Sequence, residues 1–441
     1  MKEIFRHIVV SVLTFEAKLL LRRKKPKIIA VTGNVGKTST KDAIFSIVTA
    51  KYNARKSNKS LNSEFGVPLT VLGLSTAWGN PFGWIANLTV GMWRALTTRN
   101  YPEWLVLEIG ADHPGDIKFL TSWVKPDIAV MTAIPSVAVH VEFFGGIEDL
   151  VNEKRYLARA LRPGGTLILD ADSDYAFESR DVAEAGQTVV SFGESERSDI
   201  RITGAAIAYE DSIPVGMKAD LMLLENGHLS AIPLMIRDTV GIHKIKPLAA
   251  ACAVGHALGI ETETLIDRLQ YVEPPKGRMR LLDGIKETII IDDTYNSSPI
   301  AAHEALRSLK VVKAPHRGRR IAVLGDMLEL GAHTKKSHYE LGAFAAHHCS
   351  QLYVVGIRSR DIAQGALDEG MGEAKVFTCD DVREASDMLQ NRIKKGDVVL
   401  VKGSQGMRME RIVEEIMADP QHATDLLVRQ EDMWKKKAPL R

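Results

Sequence analysis

The sequence predicts an α/β fold with two parallel sheets, each wound by helices. Three observations support this prediction. From Lys27 onward, short β-branched runs alternate with helical patterns. A glycine-rich turn separates the first run from the first helical pattern, and the Pro/Gly segment Glu273–Gly277 interrupts the chain before a second α/β set begins. The length of 441 residues also exceeds what one compact core commonly holds.

The strand predictions rest on short runs of β-branched and aliphatic residues. In the first set they are 28–31, 105–108, 128–131 and 166–169, and in the second set 288–291, 321–324, 352–355, 375–378 and 398–401. From Ile200 to Ile236 an antiparallel appendix is predicted, because Asn226-Gly227 is a strong hairpin turn. Helices are predicted at about Thr38–Ala50 and at Lys246–Leu258, and a polar, frayed tail from about Gln430.

Composition is that of an ordinary soluble globular protein, with 45% hydrophobic residues, 25% charged residues and a formal net charge of +2. A charge this close to neutral provides no field that would gather nucleic acid, so no nucleic-acid partner is expected. Cys252, Cys349 and Cys379 are too few and too widely spaced for a zinc ribbon or a disulfide framework. We therefore expect a cytoplasmic protein that acts on small molecules or peptides, and we expect a monomer.

Residues 1–26 precede the first predicted strand and are predicted to form an amphipathic helix. The unbroken apolar stretch from Ile8 to Phe15 is too short to span a membrane, and no small-residue cleavage site follows it, so a signal peptide is not expected. Two interpretations stay open. The helix packs on the first domain, or residues 4–25 make a peripheral membrane contact with Arg22–Lys25 as a basic collar.

A second apolar stretch runs from Pro81 to Leu96 and contains two tryptophans. Asn87 and Arg94 interrupt it, which argues against a membrane anchor. We interpret it as a buried helix or a surface for a partner.

The glycine turn after the first strand reads Thr32-Gly33-Asn34-Val35-Gly36-Lys37-Thr38-Ser39-Thr40. A strand before it and a helix after it are the setting of a phosphate-binding loop, in which backbone N–H groups and the helix N-terminus face phosphate oxygens. Lys37 is expected to contact the β- and γ-phosphates, and the Thr38 hydroxyl is expected to bind Mg²⁺. Two residues rather than four separate the glycines, so a solvated glycine turn is the alternative. The predicted phosphate-binding residues are Gly33, Asn34, Val35, Gly36, Lys37, Thr38 and Ser39.

Three further polar residues carry weaker signals when each is considered alone. Glu108 ends an apolar strand, where a buried carboxylate needs a cation, although such residues are more often structural. His140 follows another apolar strand, and a lone histidine is usually only hydrogen-bonded. Lys154 lies on a predicted helix, where a solvated charge is the ordinary interpretation. These patterns by themselves do not establish a metal site.

Several sequence blocks together resemble one protein family. They are the loop at 32–40, then 61–68 (Leu-Asn-Ser-Glu-Phe-Gly-Val-Pro), 107–111, 140–145, Lys154, 277–279, 292–299, 324–331 and 401–404. The set resembles the Mur ligases, from about Lys27 to Ile416, and within them the members that add D-alanyl-D-alanine to a UDP-sugar tripeptide in peptidoglycan precursor synthesis. The blocks occur in the family's order, so chance is a poor explanation.

The resemblance implies a specific domain organisation and activity. It implies a P-loop-type central ATPase domain with a parallel sheet over residues 27–273 and a C-terminal Rossmann-like α/β domain over residues 274–420. The helix at 1–26 precedes these domains and a polar tail at 421–441 follows them. The implied activity is ATP-dependent ligation of a carboxylate to an amine through an acyl phosphate, with two Mg²⁺ ions.

In the central domain the resemblance assigns four catalytic residues. Lys37 contacts the phosphates, and Glu108 and His140 match Mg²⁺ ligands, together with Thr38. Lys154 matches a lysine that the family carbamylates, so the resemblance changes its interpretation from solvated cation to anionic metal ligand.

In the second domain the resemblance assigns residues that reach the nucleotide or the substrate. Arg278 matches a position that contacts phosphates, and Asp293 one that contacts the ribose. His243 belongs to a nucleotide-contacting segment. Asn296 and Lys402 match positions that face the substrate cleft.

The match departs from the family pattern in three places. Only residues 1–26 precede the first strand, so we expect the family's N-terminal UDP-binding domain to be lacking. Lys244 and Pro247 stand where asparagines are usual, which affects the expected adenine contacts, and Ala133 stands near another usual asparagine. Two alternatives therefore stay open: an amide ligase with an acceptor that is not linked to UDP, and a nucleotide-binding regulator that has lost ligation.

Overall fold

The computed structural model describes residues 2–58, 61–77, 80–134, 144–225 and 228–439. The predicted hairpin turn at Asn226-Gly227 and the predicted ligand His140 lie outside these residues. The chain divides into two compact units. The first comprises Met1–Thr203, Asp220–Leu234 and Ile245–Val272, and the second comprises Gly204–Ala219, Met235–Lys244 and Glu273–Arg441. The domain bounds 27–273 and 274–420 stay a prediction.

The first unit has the alternation of strands and helices that the sequence predicts. Its helices are α1 (Lys2–Lys24), α2 (Lys37–Val48), α3 (Gly66–Leu72), α4 (Pro81–Thr97), α5 (Asp116–Thr121), α6 (Ile147–Arg159), α7 (Asp174–Phe177), α8 (Lys246–Ala257) and α9 (Thr262–Leu269). Its strands are β1 (Lys27–Thr32), β2 (Ala54–Lys56), β3 (Trp104–Glu108), β4 (Ile128–Met131), β5 (Thr166–Asp170) and β6 (Thr188–Gly193). The division between the units passes through β7 (Ile200–Glu210), β8 (Ile213–Glu225) and β9 (His228–Arg237).

These strands form a nine-stranded sheet in the order β2-β3-β1-β4-β5-β6-β7-β8-β9. The pairs from β2 to β7 are parallel. Only two residues lie between β7 and β8, a connection that antiparallel neighbours alone allow. In the register, Val31 lies opposite Glu108 and Thr32 lies opposite Met131. The glycine turn, the end of β3 and the end of β4 therefore meet at one edge of the sheet.

Strands β1, β3, β4 and β5 are buried on both faces, which explains their nearly continuous apolar runs. On β1, Ile28 and Ala30 join the core cluster that includes residues of α1 and α3. Ile29 and Val31 point to the opposite face and are fully buried as well. The strands after Lys27 are thus confirmed as a parallel sheet covered on both faces.

The second unit contains a Rossmann-like sheet, as predicted. Its strands are β10 (Arg280–Gly284), β11 (Thr288–Asp293), β12 (Arg320–Gly325), β13 (Gln351–Val355), β14 (Val376–Cys379) and β15 (Val398–Lys402). Its helices are α10 (Pro299–Val311), α11 (Thr334–Ala346), α12 (Arg360–Asp368), α13 (Val382–Arg392), α14 (Glu410–Ile416), α15 (Ala423–Leu426) and α16 (Asp432–Lys435). The order is β10-β11-β15-β12-β13-β14, and only the β10–β11 pair is antiparallel among the pairs described. Along β15, Val398 and Leu400 enter one core while Val399 and Val401 enter the other.

Helix α1 packs on the first unit through a stripe that includes Val9, Leu13, Ala17 and Leu20, all buried. These residues recur every three or four positions, so they share one helix face. One face of α1 is therefore packed on the first unit, while the segment bounds 1–26 stay a prediction. Among the described residues, no helix combines the length and the apolar character that crossing a membrane requires.

Helix α4 does not have the burial that its composition suggests. Gly91 and Ala95 are its only buried residues, and several of its large apolar side chains are exposed. The interpretation of Pro81–Leu96 as a buried helix is therefore wrong. Low charge content predicts burial, but here only one side of the helix has a partner.

The C-terminal segment is also more ordered than its polar composition suggests. The buried Arg408 guanidinium donates through Nη1 to the carbonyl oxygens of Trp434 and Lys437. These bonds hold the segment that contains α16 against the second unit. The expectation of a frayed tail is wrong for these residues.

Candidate functional site

The glycine turn after β1 needs glycine at two positions. Gly33 has φ of 135°, and a Cβ placed there would lie 2.1 Å from Thr132 Oγ1. Gly36 has φ of 88° and is the N-cap of α2. The first turn of α2 contains no acidic residue, so the positive end of the helix is not offset from within the helix itself.

The tip of the turn is held by a backbone carbonyl. The N–H groups of Asn34 and Val35 donate to the carbonyl oxygen of Ala133, at 2.9 and 3.3 Å. Ala133 was a departure from the family pattern, but this contact uses only its main chain, which any residue supplies. Asn34 Oδ1 is buried and receives no hydrogen bond from the described part of the chain. An orphaned acceptor of this kind suits a site that is completed by a ligand.

Lys37 and Thr38, at the start of α2, point in different directions from the turn. Lys37 Nζ folds back and donates to the carbonyl oxygens of Gly33 and Asn34, at 2.9 and 3.3 Å. Thr38 Oγ1 donates to Glu108 Oε2 at 2.9 Å. Ser39 follows on the same turn and is partly buried.

Glu108 is buried at the end of β3, where the sequence placed it. Its second carboxylate oxygen accepts a hydrogen bond from Asn62 Nδ2 at 3.1 Å, and its backbone N–H donates to Ser57 Oγ at 3.2 Å. Asn62 lies in the sequence block at 61–68, but the sequence alone indicated no role for it. The structure shows that it orients this carboxylate.

Lys154 is not a solvated charge. The residue is 2% exposed, and its Nζ donates to the carbonyl oxygen of Gly33 at 3.1 Å. The pKa of Lys154 is lowered to about 7, mainly by burial and also by the nearby Lys37 ammonium, while Glu153 and Asp112 act in the opposite direction. A substantial neutral fraction at pH 7 makes this amine a possible nucleophile.

Glu153 is a positioning residue that the sequence did not reveal. Its carboxylate reaches from α6 to the start of α5, where it accepts hydrogen bonds from the backbone N–H groups of Gly115, Ile117 and Lys118 at 2.7–3.0 Å. These contacts cap α5 and fix α6 beside it. They thereby fix the neighbouring residue, Lys154. The contacts join residues 35–38 positions apart, so no local pattern could show them.

The first unit thus brings Lys37, Thr38, Glu108 and Lys154 together around Gly33. The remaining predicted ligand, His140, lies outside the described residues. In the described part of the chain no three His, Cys, Asp or Glu side chains are grouped to hold a metal. The donors present are a hydroxyl, a carboxylate and two amines.

In the second unit, Asp293 and Lys402 end the adjacent parallel strands β11 and β15 and lie opposite each other in register. Lys402 Nζ is 2.6 Å from Asp293 Oδ2 and also donates to the carbonyl oxygen of Asn296 at 2.9 Å. Asp293 Oδ1 accepts from the N–H of Met279 at 3.1 Å. Asn296 itself is exposed. The ion pair is buried, so this lysine has its counter-charge within the protein.

The loop that follows Asp293 is held by arginines from both sides. The Arg278 guanidinium lies 4.1 Å from the centre of the Tyr295 ring, which is cation–π distance. From the C-terminal segment, Arg429 donates to the carbonyl oxygens of Thr294 (3.1 Å) and Tyr295, and Arg429 pairs with Glu410 at 2.9 Å. The sequence indicated no role for Arg429, because it lies in the segment 421–441 that was predicted only as a polar tail.

His243 and Lys244 belong to a short 3₁₀ turn, Ile242–Lys244, of the second unit. The pKa of Lys244 is lowered to about 8, mainly by burial, with Asp293 acting in the opposite direction and the cations Arg278 and Lys402 adding to the decrease. Lys244 therefore lies in the same charge cluster as the predicted site residues. The departure from the family pattern at this position adds a cation to the cluster.

The arrangement in the first unit fits a nucleoside triphosphate with Mg²⁺. Glycine backbone and a helix N-terminus suit phosphate oxygens, and adjacent hydroxyl and carboxylate oxygens suit Mg²⁺. Lys37, which is partly buried, and the buried Lys154 add positive charge where a phosphoryl group would be transferred.

Two family models match the chain. The Mur ligase middle domain matches residues 31–255, and the Mur ligase glutamate ligase domain matches residues 277–405. Among the relatives, the UDP-N-acetylmuramoyl-tripeptide–D-alanyl-D-alanine ligase of Bacillus subtilis (strain 168) is 28% identical over 92% of this chain and 79% of the relative. The corresponding Escherichia coli (strain K12) ligase is 25% identical over 90% of this chain and 78% of the relative.

Solved structures show the same likeness. The MurF ligase of Thermotoga maritima in complex with ADP has a TM-score of 0.73 at 26% identity, over 92% of this chain and 83% of that chain. MurF of Acinetobacter baumannii also has a TM-score of 0.73, at 25% identity over 93% of this chain and 81% of that chain.

Proposed function

The chain belongs to the Mur ligase family of ATP-dependent amide-bond ligases, and we propose that it adds D-alanyl-D-alanine to a UDP-N-acetylmuramoyl-tripeptide in peptidoglycan precursor synthesis. The observation that carries the proposal is the meeting of Lys37, Thr38, Glu108 and Lys154 around Gly33. The relatives at 25–28% identity that carry this activity in their names support the choice of substrate.

In this proposal the acid is activated by phosphorylation. The γ-phosphoryl group passes from ATP to a carboxylate oxygen of the acceptor, which leaves ADP and an acyl phosphate. The amine of the dipeptide then attacks the acyl carbon, loses a proton and forms the C–N bond as phosphate leaves. The turn at Gly33–Ser39 binds the phosphates, and Lys37 offsets the charge that develops during transfer.

Mg²⁺ would be held by oxygen donors near the turn. We assign Thr38 and Glu108 to it, because the Thr38 hydroxyl and the Glu108 carboxylate lie 2.9 Å apart at the strand ends, and we retain His140 as a further ligand. The ions, two by family resemblance, would supply charge neutralisation for the phosphoryl group.

Lys154 has the properties that carbamylation requires. Attack on CO₂ needs the neutral amine, forms an N–C bond and releases a proton, and the pKa of about 7 supplies that neutral form. The product is an anion, which fits beside Lys37 better than a second cation does. We propose that carbamylated Lys154 completes the oxygen donor set.

The nucleotide-binding residues of the second unit are proposed on the family resemblance. Arg278 is assigned to phosphates, Asp293 to the ribose and His243 to the adenine side, with Asn296 and Lys402 at the substrate cleft. The ion pair between Lys402 and Asp293 orients the Asp293 carboxylate. We also propose that the enzyme is a cytoplasmic monomer with no nucleic-acid partner, and that residues 4–25 touch a membrane peripherally.

The test is product formation by the full chain with ATP, Mg²⁺, D-alanyl-D-alanine and the UDP-linked tripeptide. We expect the pentapeptide product by mass spectrometry and one phosphate released per product. Lys37→Met should abolish both signals, and Lys335→Met, on the exposed surface of α11, should change neither.

Two results would contradict the proposal. ATP turnover that is indifferent to every acid and amine would contradict ligation altogether and favour a nucleotide-dependent regulator. Turnover that needs an acid but is not supported by the UDP-linked tripeptide would keep the ligase and assign it another acceptor.

A further inference from the structure

Helix α4 presents an uncharged apolar face to solvent. Phe82, Ile85, Trp93 and Leu96 are exposed, and their spacing of 3, 8 and 3 residues places them on one side of the helix. Phe82 is 82% exposed and Trp93 is 64% exposed. Large apolar side chains lose favourable burial energy in such positions, so these four on one face, two of them aromatic, call for an apolar partner.

The opposite side of α4 holds the helix on the first unit. Gly91 and Ala95 are buried there. The helix has one charged residue, Arg94, whose guanidinium donates to the carbonyl oxygens of Leu72 (3.0 Å) and Gly73. The charge is therefore directed toward the protein and does not interrupt the exposed apolar face.

Helix α1 runs parallel to α4. The Glu16 carboxylate lies against Gly91, Arg23 donates to the carbonyl oxygen of Ala95, and Lys24 donates to the carbonyl oxygen of Arg99 at 2.8 Å. Increasing residue numbers on α1 thus meet increasing numbers on α4, so the C-terminal ends of both helices lie together. Exposed apolar residues of α1, Ile8 and Phe15, add to the apolar surface of this pair.

Basic residues collect at that common end. Arg22, Arg23 and Lys24 form the last turn of α1, Lys25 follows, and Arg99 follows α4. Arg22, Lys25 and Arg99 are exposed. No acidic residue occurs on α4, and Glu16 of α1 is buried. The pair of helices therefore combines an apolar face with a cationic end.

We propose that α1 and α4 form a platform that seats the enzyme on an anionic lipid surface, with the face of Phe82, Ile85, Trp93 and Leu96 inserted among the acyl chains near the headgroups. The basic end then contacts anionic headgroups. An apolar helix face with tryptophan and phenylalanine, beside lysines and arginines, has the chemistry of an interfacial helix.

The charge pattern favours lipid over a protein partner. A specific protein interface places polar groups that fix its register around an apolar centre, whereas the exposed face of α4 offers only threonine hydroxyls besides its apolar side chains. A bilayer does not require polar groups that fix the position of a bound protein. Its anionic headgroups complement the cationic end of the helix pair, and α4 has no acidic residue that would repel them.

The test is co-sedimentation of the full chain with vesicles. We expect binding to phosphatidylcholine vesicles that contain 30% phosphatidylglycerol, and weaker binding to phosphatidylcholine alone. Binding to the mixed vesicles should fall as salt is raised, because headgroup attraction is screened.

Variants on the apolar face of α4 distinguish insertion into the bilayer from non-specific binding to vesicles. Trp93→Glu and, independently, Phe82→Glu should each reduce binding at least about tenfold. Ile357→Glu is the matched control, since Ile357 is 63% exposed in the second unit and the same charge is introduced. Circular dichroism verifies that each variant is folded. Because two positions are substituted independently, the test stands even if one of the variants misfolds.

A second pair of variants tests the cationic end. Arg22→Gln with Arg99→Gln should lower affinity for the anionic vesicles about fivefold for each cation removed, and leave the weaker binding to phosphatidylcholine unchanged. Lys335→Gln with Lys375→Gln, which removes two exposed cations of the second unit, should have no effect.

Two results would overturn the proposal. One is equal sedimentation of wild type, Trp93→Glu and Phe82→Glu. The other is an absence of vesicle binding together with a dimer by light scattering that Trp93→Glu converts to monomer, which would make the face a contact between two copies of the chain. Neither outcome depends on ligase activity, so the platform can fail while the proposed reaction stands.

Discussion

Lys154 of the first unit and Lys402 of the second are equally buried, at 2% exposure, and both reach the carboxyl ends of parallel strands. Their contacts differ. Lys402 lies 2.6 Å from the Asp293 carboxylate, whereas Lys154 donates to the carbonyl oxygen of Gly33 and lies near the ammonium of Lys37. In the second unit a carboxylate at contact distance neutralises the positive charge, whereas among the described residues no carboxylate forms an ion pair with Lys154.

The difference separates a structural charge from a reactive one. A buried ion pair keeps both groups charged and fixes their positions, and removal of one partner alone destabilises the fold. A buried amine without a carboxylate at contact distance lowers stability and shifts its own pKa, which functional sites use. The two lysines should therefore respond in opposite ways to substitution.

The largest expected effect is on activity. Lys154→Ala should reduce turnover about 10³–10⁵-fold, the range for loss of a charged group that acts in phosphoryl transfer. The melting temperature should stay the same or rise, because an amine that is costly to bury is gone. Activity and thermal unfolding measured on one preparation would check both parts.

Chemical rescue sharpens that prediction. A small carboxylate such as acetate should restore part of the activity of Lys154→Ala, if the lysine acts as a carbamate, while Lys37→Met should not respond. Full activity of Lys154→Ala without any additive would show that the carbamate assignment is wrong.

Lys402→Met should have the opposite balance, with loss of stability as its main effect. Removing one member of a buried pair leaves Asp293 unpaired, at a cost of about 3–5 kcal/mol. Adding Asp293→Asn should recover a large part of that loss in urea unfolding. If the double variant is no more stable than Lys402→Met, the ion pair does not explain the effect.

Arg429 extends the comparison to the loop beside Lys402. Arg429→Ala removes the donor to the carbonyl oxygens of Thr294 and Tyr295 and should cost about 2–3 kcal/mol of stability. Because that loop begins next to Asp293, the KM for ATP should rise more than kcat falls. Arg429→Lys should restore stability in part, and an unchanged KM in both variants would limit Arg429 to a structural role.

Glu16 provides a second buried charge in the first unit. It is 1% exposed, and neither carboxylate oxygen receives a hydrogen bond from the described residues. Burial raises the pKa of Glu16 to about 7 from 4.5. The folded state thus binds the proton more tightly than the unfolded state, so the contribution of Glu16 to stability is greatest below pH 4.5 and is lost as pH rises through 7.

Glu16→Gln should remove this pH dependence and stabilise the protein by about 2 kcal/mol at pH 8, with little effect at pH 5. Urea unfolding at the two pH values measures it. Glu263→Gln, at an exposed position of α9, is the control. If the free energy of unfolding changes with pH equally in wild type and in Glu16→Gln, Glu16 is not the source of the pH dependence.

Much of the fold could be read from the chain because strand signals are local. The runs at 28–31, 105–108, 128–131, 288–291 and 398–401 all lie in strands of the structure. The glycine turn between β1 and α2 was predicted for the same reason, since its glycines, lysine and threonine lie within one short segment. By contrast, β6 and β10 were missed, because Thr188–Gly193 and Arg280–Gly284 mix exposed and buried residues without a clear period.

The sequence by itself determined the α/β class, the position of the glycine turn after β1 and the strand end that carries Glu108, because each depends on neighbours a few residues apart. Only the tertiary structure decided the burial of Lys154, the clamp by Arg429 and the exposed face of α4. Lys154 meets Gly33 across 121 residues and Arg429 meets Thr294 across 135. Local periodicity cannot encode partners so far apart in the chain. Because α4 is apolar on nearly all sides, only the packing of its neighbours shows which side is buried.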